Sequence, residues 1–249
     1  MTQLESPKSS PRVLIAIMSW VIACRNGVNQ VQRDTFLRDV AKYPNLDYKI
    51  FLGDGTPTGE DEYDNNKSIE GATDYVRENN ALNKPVPFDY VPKEDEVVLH
   101  VPDDFIHASY KAKAMWQWAL DRDYDYVFQC MSDTYVDIEQ LMNCGFEEHD
   151  FIGRTYDTNR CPLGGSGYWL SKKCLQIMTA AHVDFWADDG WAGWTLQKSG
   201  IHLHQDLRYN TELPLDWFLI GTAYPQSGYI SLHMGPSYEK MREIYKGVE

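Results

Sequence analysis

An aspartate follows a buried strand in the sequence, a position that suits metal chemistry. Asp133 comes after the apolar run 126–130, and hard divalent cations prefer oxygen ligands that they can share with a diphosphate. This pattern predicts a metal site at Asp133. The structural alternative is helix capping, because Asp133 or Asp137 could bind the free amides at the start of the helix predicted over 137–143.

Two adjacent acids, Asp188 and Asp189, lie just before the helix predicted over 191–198. Adjacent carboxylates repel each other, which raises the pKa of one of them and favours its use as a general base toward a hydroxyl. Capping of the helix by either side chain is the alternative.

The glycine-rich segment 164–167 reads Gly-Gly-Ser-Gly. It is too short for a phosphate-binding loop of the G-x-x-x-x-G-K-[ST] kind, and no G-x-G-x-x-G follows the first predicted strand. Glycines here could let the backbone approach a sugar or a metal site closely, whereas a plain tight turn is the alternative.

Aromatic and imidazole side chains fill the last third of the chain. Indole faces suit sugar rings, although most tryptophans belong to a core; four that cluster in this region are Trp169, Trp186, Trp191 and Trp194. His202 and His204 alternate along a predicted strand, and His233 ends another. No HExxH motif and no G-x-S-x-G hydrolase elbow occurs.

Strands and helices alternate over the first 145 residues, which predicts an α/β fold with a mostly parallel sheet and helices on both faces. The predicted strands are 13–20, 48–52, 97–99, 126–130 and 151–153, and the predicted helices are 31–41, 105–119, 137–143, 172–181, 191–198 and 238–245. Ligands of such sheets gather at the carboxyl ends of the strands, where Asp54 and Asp133 fall. Lys111 and Lys113 lie off the apolar stripe of their helix, as solvated surface residues would.

Composition excludes some partners. The chain has 249 residues with 23 Lys+Arg against 37 Asp+Glu, a formal net charge of −14, which disfavours binding to nucleic acid but not to one small anion. Five widely spaced cysteines without a C-x-x-C pair indicate free thiols. No apolar run is long enough to span a membrane, so we expect a cytoplasmic protein.

Five motifs, in family order, resemble those of the β-1,3-glycosyltransferases of the fringe and core-1 galactosyltransferase type. They are Arg33-Asp34-Thr35-Phe36 for R-E-T-W, Phe51-Leu52-Gly53 for F-L-x-G, 127–136 for the strand that leads into D-D-D-T-Y-V, 164–171 for G-G-x-G-Y-x-L-S, and 188–193 for D-D-x-x-x-G. Met131 and Ser132 occupy the first two positions of D-D-D, so Asp133 is the only acid of that motif.

The resemblance implies a GT-A fold, which we expect to form a single domain over residues 12–249 after a disordered leader, 1–11, with a smaller mixed region on the acceptor side. It implies a nucleoside-diphosphate sugar donor, usually UDP-linked, a Mn²⁺ or Mg²⁺ cofactor, inversion at the anomeric carbon, and a glycan or glycoprotein acceptor.

The same resemblance implies several site residues, and the strand ends, glycines and tryptophans described above supply others. Asp189 matches the catalytic base, and Asp133 and His233 match the metal ligands. The expected donor-binding residues are Arg33, Asp54, Lys111, Lys113 and Ser132, and those expected at the acceptor or sugar pocket are Gly165, Ser166, Trp169, Asp188 and Trp191.

Two other functions remain open. A nucleotidyltransferase that forms nucleotide sugars shares the α/β architecture, but segment 19–27 lacks the expected Gly-rich, basic loop. A non-catalytic sugar-binding module would fit the abundant aromatics and the reduced metal motif.

Overall fold

The computed structural model describes residues 10–56, 88–155, 161–211 and 228–246. The first strand, β1 (Val13–Met18), is buried over its whole length. Its side chains alternate between two apolar clusters, with Leu14, Ala16 and Met18 in one and Val13, Ile15 and Ile17 in the other. A strand that is apolar on both faces belongs to a sheet covered by other elements on both sides.

Seven strands form the main sheet, in the order β3-β2-β1-β4-β7-β6-β8. Strands β3, β2, β1 and β4 are parallel, β7 is antiparallel to both β4 and β6, and β8 is parallel to β6. Their bounds are β2 (Leu46–Gly53), β3 (Glu96–Leu99), β4 (Tyr126–Met131), β6 (Phe151–Gly153), β7 (Tyr168–Ser171) and β8 (His204–Gln205).

A smaller mixed sheet has three strands in the order β5-β10-β9. They are β5 (Thr134–Val136), β9 (Tyr209–Thr211) and β10 (Ser231–His233), with β10 antiparallel to β5 and parallel to β9.

Helices cover both faces of the main sheet. In the described residues they are α1 (Val21–Arg25), α2 (Val28–Asp34), α3 (Ala108–Leu120), α4 (Ile138–Met142), α5 (Lys172–Ala180), α6 (Asp188–Lys198) and α7 (Met241–Lys246). Helices α3, α5 and α6 contribute to the cluster around Leu14, whereas α2, α4 and α7 contribute to the cluster around Ile15. Short 3₁₀ turns occupy Phe36–Lys42, Phe146–Glu148, Gly164–Ser166 and Gly235–Lys240.

The architecture confirms the predicted α/β class, with a mostly parallel sheet, helices on both faces and a small mixed region. All five cysteines are free thiols. No helix among the described residues is long and apolar enough to cross a membrane. Residues 1–9 of the expected leader and 57–87 of the loop-rich region lie outside the described residues.

Several element boundaries differ from the prediction. The helix predicted over 31–41 is two elements, because α2 ends at Asp34 and a 3₁₀ turn follows. Thr35 lies between them, where its hydroxyl donates to the Val31 carbonyl oxygen at 2.7 Å, a side-chain bond that competes with continued helix. The terminal helix predicted over 238–245 is likewise a 3₁₀ turn followed by α7, and the strand predicted around His202 contains only His204 and Gln205.

Two glycines with a similar positive φ allow a test of packing. Gly167 (φ 82°) and Gly200 (φ 79°) both lie in the left-handed region, but a Cβ on Gly167 would lie 2.9 Å from the Gln129 carbonyl oxygen, whereas one on Gly200 meets nothing within 4 Å. We expect Gly200→Ala to lower the free energy of unfolding by about 1–2 kcal/mol from backbone strain alone. Gly167→Ala should lower the free energy of unfolding by about 1–3 kcal/mol more than Gly200→Ala does, because its Cβ would also crowd the Gln129 carbonyl oxygen. Urea unfolding measures both, and equal losses would contradict the packing at Gly167.

Candidate functional site

The small sheet brings Asp133 and His233 together. Strand β5 begins at Thr134, and the antiparallel register pairs Thr134 with His233 at the end of β10. The Met234 amide donates to the Asp133 carbonyl oxygen at 2.9 Å, and His233 Nε2 lies 3.2 Å from Asp133 Oδ2. The side chain of His233 is 20% exposed and that of Asp133 is 23% exposed, so a ligand could reach both.

Asp133 is not the helix cap that was its structural alternative. The cap of α4 is Asp137, whose Oδ1 accepts a hydrogen bond from the Gln140 amide at 3.0 Å. The carboxylate of Asp133 instead faces the imidazole of His233.

The turn Gly164–Gly165 contacts both halves of the predicted site. The Gly164 amide donates to Asp189 Oδ2 at 3.1 Å, and a Cβ on Gly164 would lie 2.9 Å from that oxygen. A Cβ on Gly165 would lie 2.6 Å from Cε1 of His233. Thr134 Oγ1 fixes the turn by donating to the Gly165 carbonyl oxygen at 2.7 Å. The two glycines therefore let Asp189 and the Asp133–His233 pair approach one backbone turn.

Asp188 is held in the interior by hydrogen bonds. Its Oδ2 accepts from the Tyr168 hydroxyl at 2.9 Å and from Gln129 Nε2. Gln129 Oε1 in turn accepts from the indole nitrogen of Trp116 at 2.8 Å. Burial raises the pKa of Asp188, while the bonds from Tyr168 and Gln129 lower it. With these partners, Asp188 orients the start of α6 and is not open to a substrate.

Asp189 has the environment of a general base. Its Oδ1 accepts from the Gly190 amide at 2.6 Å, and its Oδ2 accepts from Gly164. Burial, with the negative charge of Asp188 as the second cause, raises the pKa of Asp189 to about 7. A base with a pKa near neutrality combines a useful ionised fraction with the ability to take a proton.

The Asp133–His233 pair fits a divalent cation by donor type and spacing. Two ligands in neighbouring positions of an octahedral shell lie about 3 Å apart when each bond is about 2.1 Å long, and the two side-chain atoms here are 3.2 Å apart. Among the described residues, no group of three or more His, Cys, Asp or Glu could hold a metal by itself. A cation here would take its other ligands from water and substrate phosphates, as Mg²⁺ commonly does.

Lys111 is buried, not a solvated surface residue. It is 3% exposed, and its Nζ donates to the Ser19 carbonyl oxygen at 2.9 Å and to Asp103 Oδ1 at 2.5 Å. Asp103 also accepts from the amides of Val21 and Gly53. Because these residues follow β1 and end β2, Lys111 lies at the carboxyl edge of the sheet, with its charge paired.

Lys113 and Arg33 both have hydrogen-bond partners within the protein. Lys113 Nζ donates at 2.9 Å to the carbonyl oxygen of Ala181, the C-cap of α5, where a cation is favourable. Arg33 donates through Nε and Nη2 to both oxygens of Asp95, at 2.7 and 2.8 Å, and to Glu96 at 2.7 Å. Both cations are thus paired within the protein, and their donor-binding role stays a prediction.

Of three other predicted residues, Asp54 and Ser166 have polar partners within the protein and Ser132 has none for its hydroxyl. Asp54 Oδ2 lies 2.6 Å from His100 Nδ1, after the end of β2. Ser166 Oγ donates to the Asn210 carbonyl oxygen at 2.7 Å, which attaches the glycine turn to β9. Ser132 is 1% exposed, and its Oγ has no hydrogen-bond partner in the described structure.

Trp169 and Trp191 are core residues, which corrects the prediction that they line a sugar pocket. Both are 0% exposed. The Trp169 indole nitrogen donates to the Tyr209 hydroxyl at 2.9 Å, and that of Trp191 donates to the His182 carbonyl oxygen at 3.0 Å. Neither ring face is available to a ligand.

Two positioning residues, Gln129 and Asp103, were not identified from the sequence, and only Gln129 carries a signal there. Gln129 is a polar residue inside an otherwise apolar strand, and such a residue needs a buried partner, here Asp188. Asp103 precedes a helix and reads as an ordinary cap. Only the tertiary structure shows that it gathers Lys111 and two strand-end amides.

No family model matches the sequence, and no curated protein matches it. Among solved structures, the glycosyltransferase involved in glycosylation of the major capsid of PBCV-1 is 12% identical, with 95% of this chain and 100% of that chain covered and a TM-score of 0.45. The apo form of the glycosyltransferase GlyE of Streptococcus pneumoniae TIGR4 is 12% identical, with 90% and 54% covered and a TM-score of 0.38.

A third similar structure, A197 from STIV, is 15% identical, with 45% of this chain and 68% of that chain covered and a TM-score of 0.32. TM-scores this low support no conclusion about the function of this chain.

The raised pKa of Asp189 predicts a pH-dependent stability difference. Its usual value is 3.8, so the native state binds more protons than the unfolded state between about pH 4 and pH 7, and stability contributed by this group falls as pH rises through that window. The free energy of unfolding of Asp189→Asn, relative to the unsubstituted protein, should rise over the same window and level off above it.

Urea unfolding at a series of pH values measures this difference. Asp121→Asn, at an exposed carboxylate beyond α3, is the control for the change in net charge. A difference for Asp189→Asn that stays constant from pH 4 to pH 8 would show that the carboxyl is not buried as described.

Proposed function

We propose that the protein is an inverting, metal-dependent glycosyltransferase that moves a sugar from a UDP-linked donor to a hydroxyl of a glycan or glycoprotein. One observation carries the proposal: a single glycine turn contacts a carboxylate with a pKa near 7, Asp189, on one side and a carboxylate–imidazole pair, Asp133–His233, on the other. Sugar transfer from a diphosphate needs a base and a cation site close together, and the motif resemblance assigns these roles to the same residues.

The base acts on the acceptor. Asp189, when ionised, takes the proton of the acceptor hydroxyl while that oxygen forms a bond to the anomeric carbon of the donor. The bond from that carbon to the diphosphate breaks, and its electron pair leaves with the UDP. A single displacement inverts the anomeric centre and needs one carboxylate, which suits a site where Asp188 is already bound by Tyr168 and Gln129.

Asp133 and His233 would hold the cation beside the donor. When bound, Mn²⁺ or Mg²⁺ supplies positive charge that stabilises the leaving diphosphate. Thr134 keeps the pair aligned, because its hydroxyl bonds Gly165 and accepts from the Met131 amide at 3.1 Å. This arrangement limits the motion of the metal ligands relative to the base.

Replacing the base separates catalysis from binding. Asp189→Asn should lower the rate of sugar transfer by about 10²- to 10⁴-fold, because an amide cannot accept the proton, and should leave UDP binding nearly unchanged. Release of UDP from a panel of UDP-sugars with glycan acceptors measures the rate. Activity of the unsubstituted protein should rise with pH through about 7, since the base must be ionised.

Asp121→Asn controls for the loss of one negative charge far from the base. Asp189→Asn with full activity would remove Asp189 from the reaction. Binding of UDP-sugars without any turnover by the unsubstituted protein would favour the non-catalytic sugar-binding module.

Replacing a metal ligand tests the donor site. Asp133→Ala and His233→Ala should each weaken Mn²⁺-dependent UDP binding by at least about tenfold, because each removes one of two protein ligands. Isothermal titration calorimetry with Mn²⁺, and again with a chelator, measures this affinity. The control is Asp137→Asn, which changes a nearby carboxylate while an asparagine keeps the cap of α4. UDP affinity that is the same in Asp133→Ala, or insensitive to the chelator, would exclude the proposed metal site.

A further inference from the structure

Four aromatic rings form a connected group around the first half of α6. The Trp186 ring lies 5.2 Å from that of Phe105 and 5.6 Å from that of Phe185, and the Phe185 ring lies 4.5 Å from that of Trp194. All four side chains are half-buried. They differ in this respect from Trp169 and Trp191, which the core encloses completely. We call these four rings the aromatic platform.

The platform is fixed next to the proposed base. The Ser109 amide at the start of α3 donates to the Trp186 carbonyl oxygen at 3.2 Å. A Cβ on Gly190 would lie 2.7 Å from Cε1 of Phe185, so this glycine makes room for that ring against α6. Trp186 precedes Asp189 by three residues, which span at most about 11 Å. The platform is therefore close to Asp189 along the chain.

A polar pair stands beside the platform in the same loop as Phe105. His107 Nδ1 lies 2.6 Å from Asp104 Oδ1, and the His107 amide donates to the same oxygen at 3.0 Å. The Asp104 side chain is only 5% exposed and that of His107 is 17% exposed. Because Nδ1 faces the carboxylate, Nε2 is the ring nitrogen left to meet a ligand, and its orientation is fixed by Asp104.

The combination suits one class of ligand. A sugar ring has an apolar C–H face, which packs on an aromatic ring, and hydroxyls at its edge, which need hydrogen-bond partners. A lipid chain or an apolar peptide would cover His107 without offering a hydrogen-bond partner to its Nε2, which disfavours both. The net charge of −14 also disfavours an acidic partner at this surface.

We infer that the aromatic platform and His107 bind the sugar ring of the acceptor, with Trp186 as the main stacking surface. This inference rests on the proposed function, because it places the acceptor hydroxyl on the side of the site that carries Asp189. Phe105 and Phe185 both contact the Trp186 ring in tilted arrangements, and Trp194 packs on Phe185.

The test measures sugar and nucleotide binding separately. Saturation-transfer NMR, with UDP and Mn²⁺ present, detects binding of methyl glycosides of glucose, galactose, xylose, rhamnose and N-acetylglucosamine. Trp186→Ala should weaken the affinity for the bound glycosides by about tenfold or more, and His107→Ala by a similar factor. Trp186→Phe should keep part of the affinity, and UDP binding should be the same in all three variants.

Trp118→Ala is the matched control. Trp118 is also half-buried and packs on Phe51, with ring centroids 5.2 Å apart, but it lies near the other end of α3. It should retain full glycoside binding. If Trp186→Ala unfolds, His107→Ala and Trp186→Phe still decide the question, because neither empties the platform.

The outcomes separate the two proposals. Glycoside binding that is lost in Trp186→Ala and His107→Ala supports the platform even if the protein fails to bind UDP, in which case the donor part of the proposed function falls. Glycoside binding that is unchanged in these variants, or absent from the unsubstituted protein, overturns the platform, whatever the result with UDP.

Discussion

The site depends on how closely one backbone turn approaches two side chains. Any side chain at 164 or 165 would overlap the Asp189 carboxyl or the His233 ring, so these positions need glycine because of crowding. The neighbouring serines hold the turn in place. Ser166 Oγ donates to the Asn210 carbonyl oxygen in β9, and Ser231 Oγ, in β10, donates to the Ser166 carbonyl oxygen. The small sheet thus fixes the position of Asp189 relative to Asp133 and His233.

Charge pairing explains why a cation belongs in the proposed mechanism. Lys111, at the carboxyl edge of β1 and β2, is paired with Asp103, and Arg33 is bound by Asp95 and Glu96. Because these two cations already have acidic partners, neither offers free positive charge to a diphosphate. A divalent ion at Asp133 and His233 would supply that charge where the leaving group forms.

A chain of buried hydrogen bonds links the core to the segment that carries Asp189. Trp116, Gln129, Asp188 and Tyr168 form a hydrogen-bonded chain that runs from the buried face of α3 to the start of α6. Because a buried polar group is costly unless it has a partner, this chain holds Asp188 in one orientation. Asp189 is then directed toward the glycine turn, and the charge of its neighbour helps to raise its pKa.

The sequence by itself determined the α/β class, the strand ends that carry Asp54 and Asp133, and the set of residues that form the proposed base and metal site. Local patterns were sufficient for this, since an apolar run such as 126–130 specifies a buried strand and a glycine pair specifies a close approach. Only the tertiary structure decided which aromatic and basic residues are open to a ligand. Trp169 and Trp186 look alike in sequence, and so do Lys111 and Lys113, because burial and ion pairing depend on segments that are far apart in the chain. For that reason Trp169 is buried in the core and Lys111 is paired with Asp103, whereas Trp186 is only half-buried and precedes Asp189 by three residues.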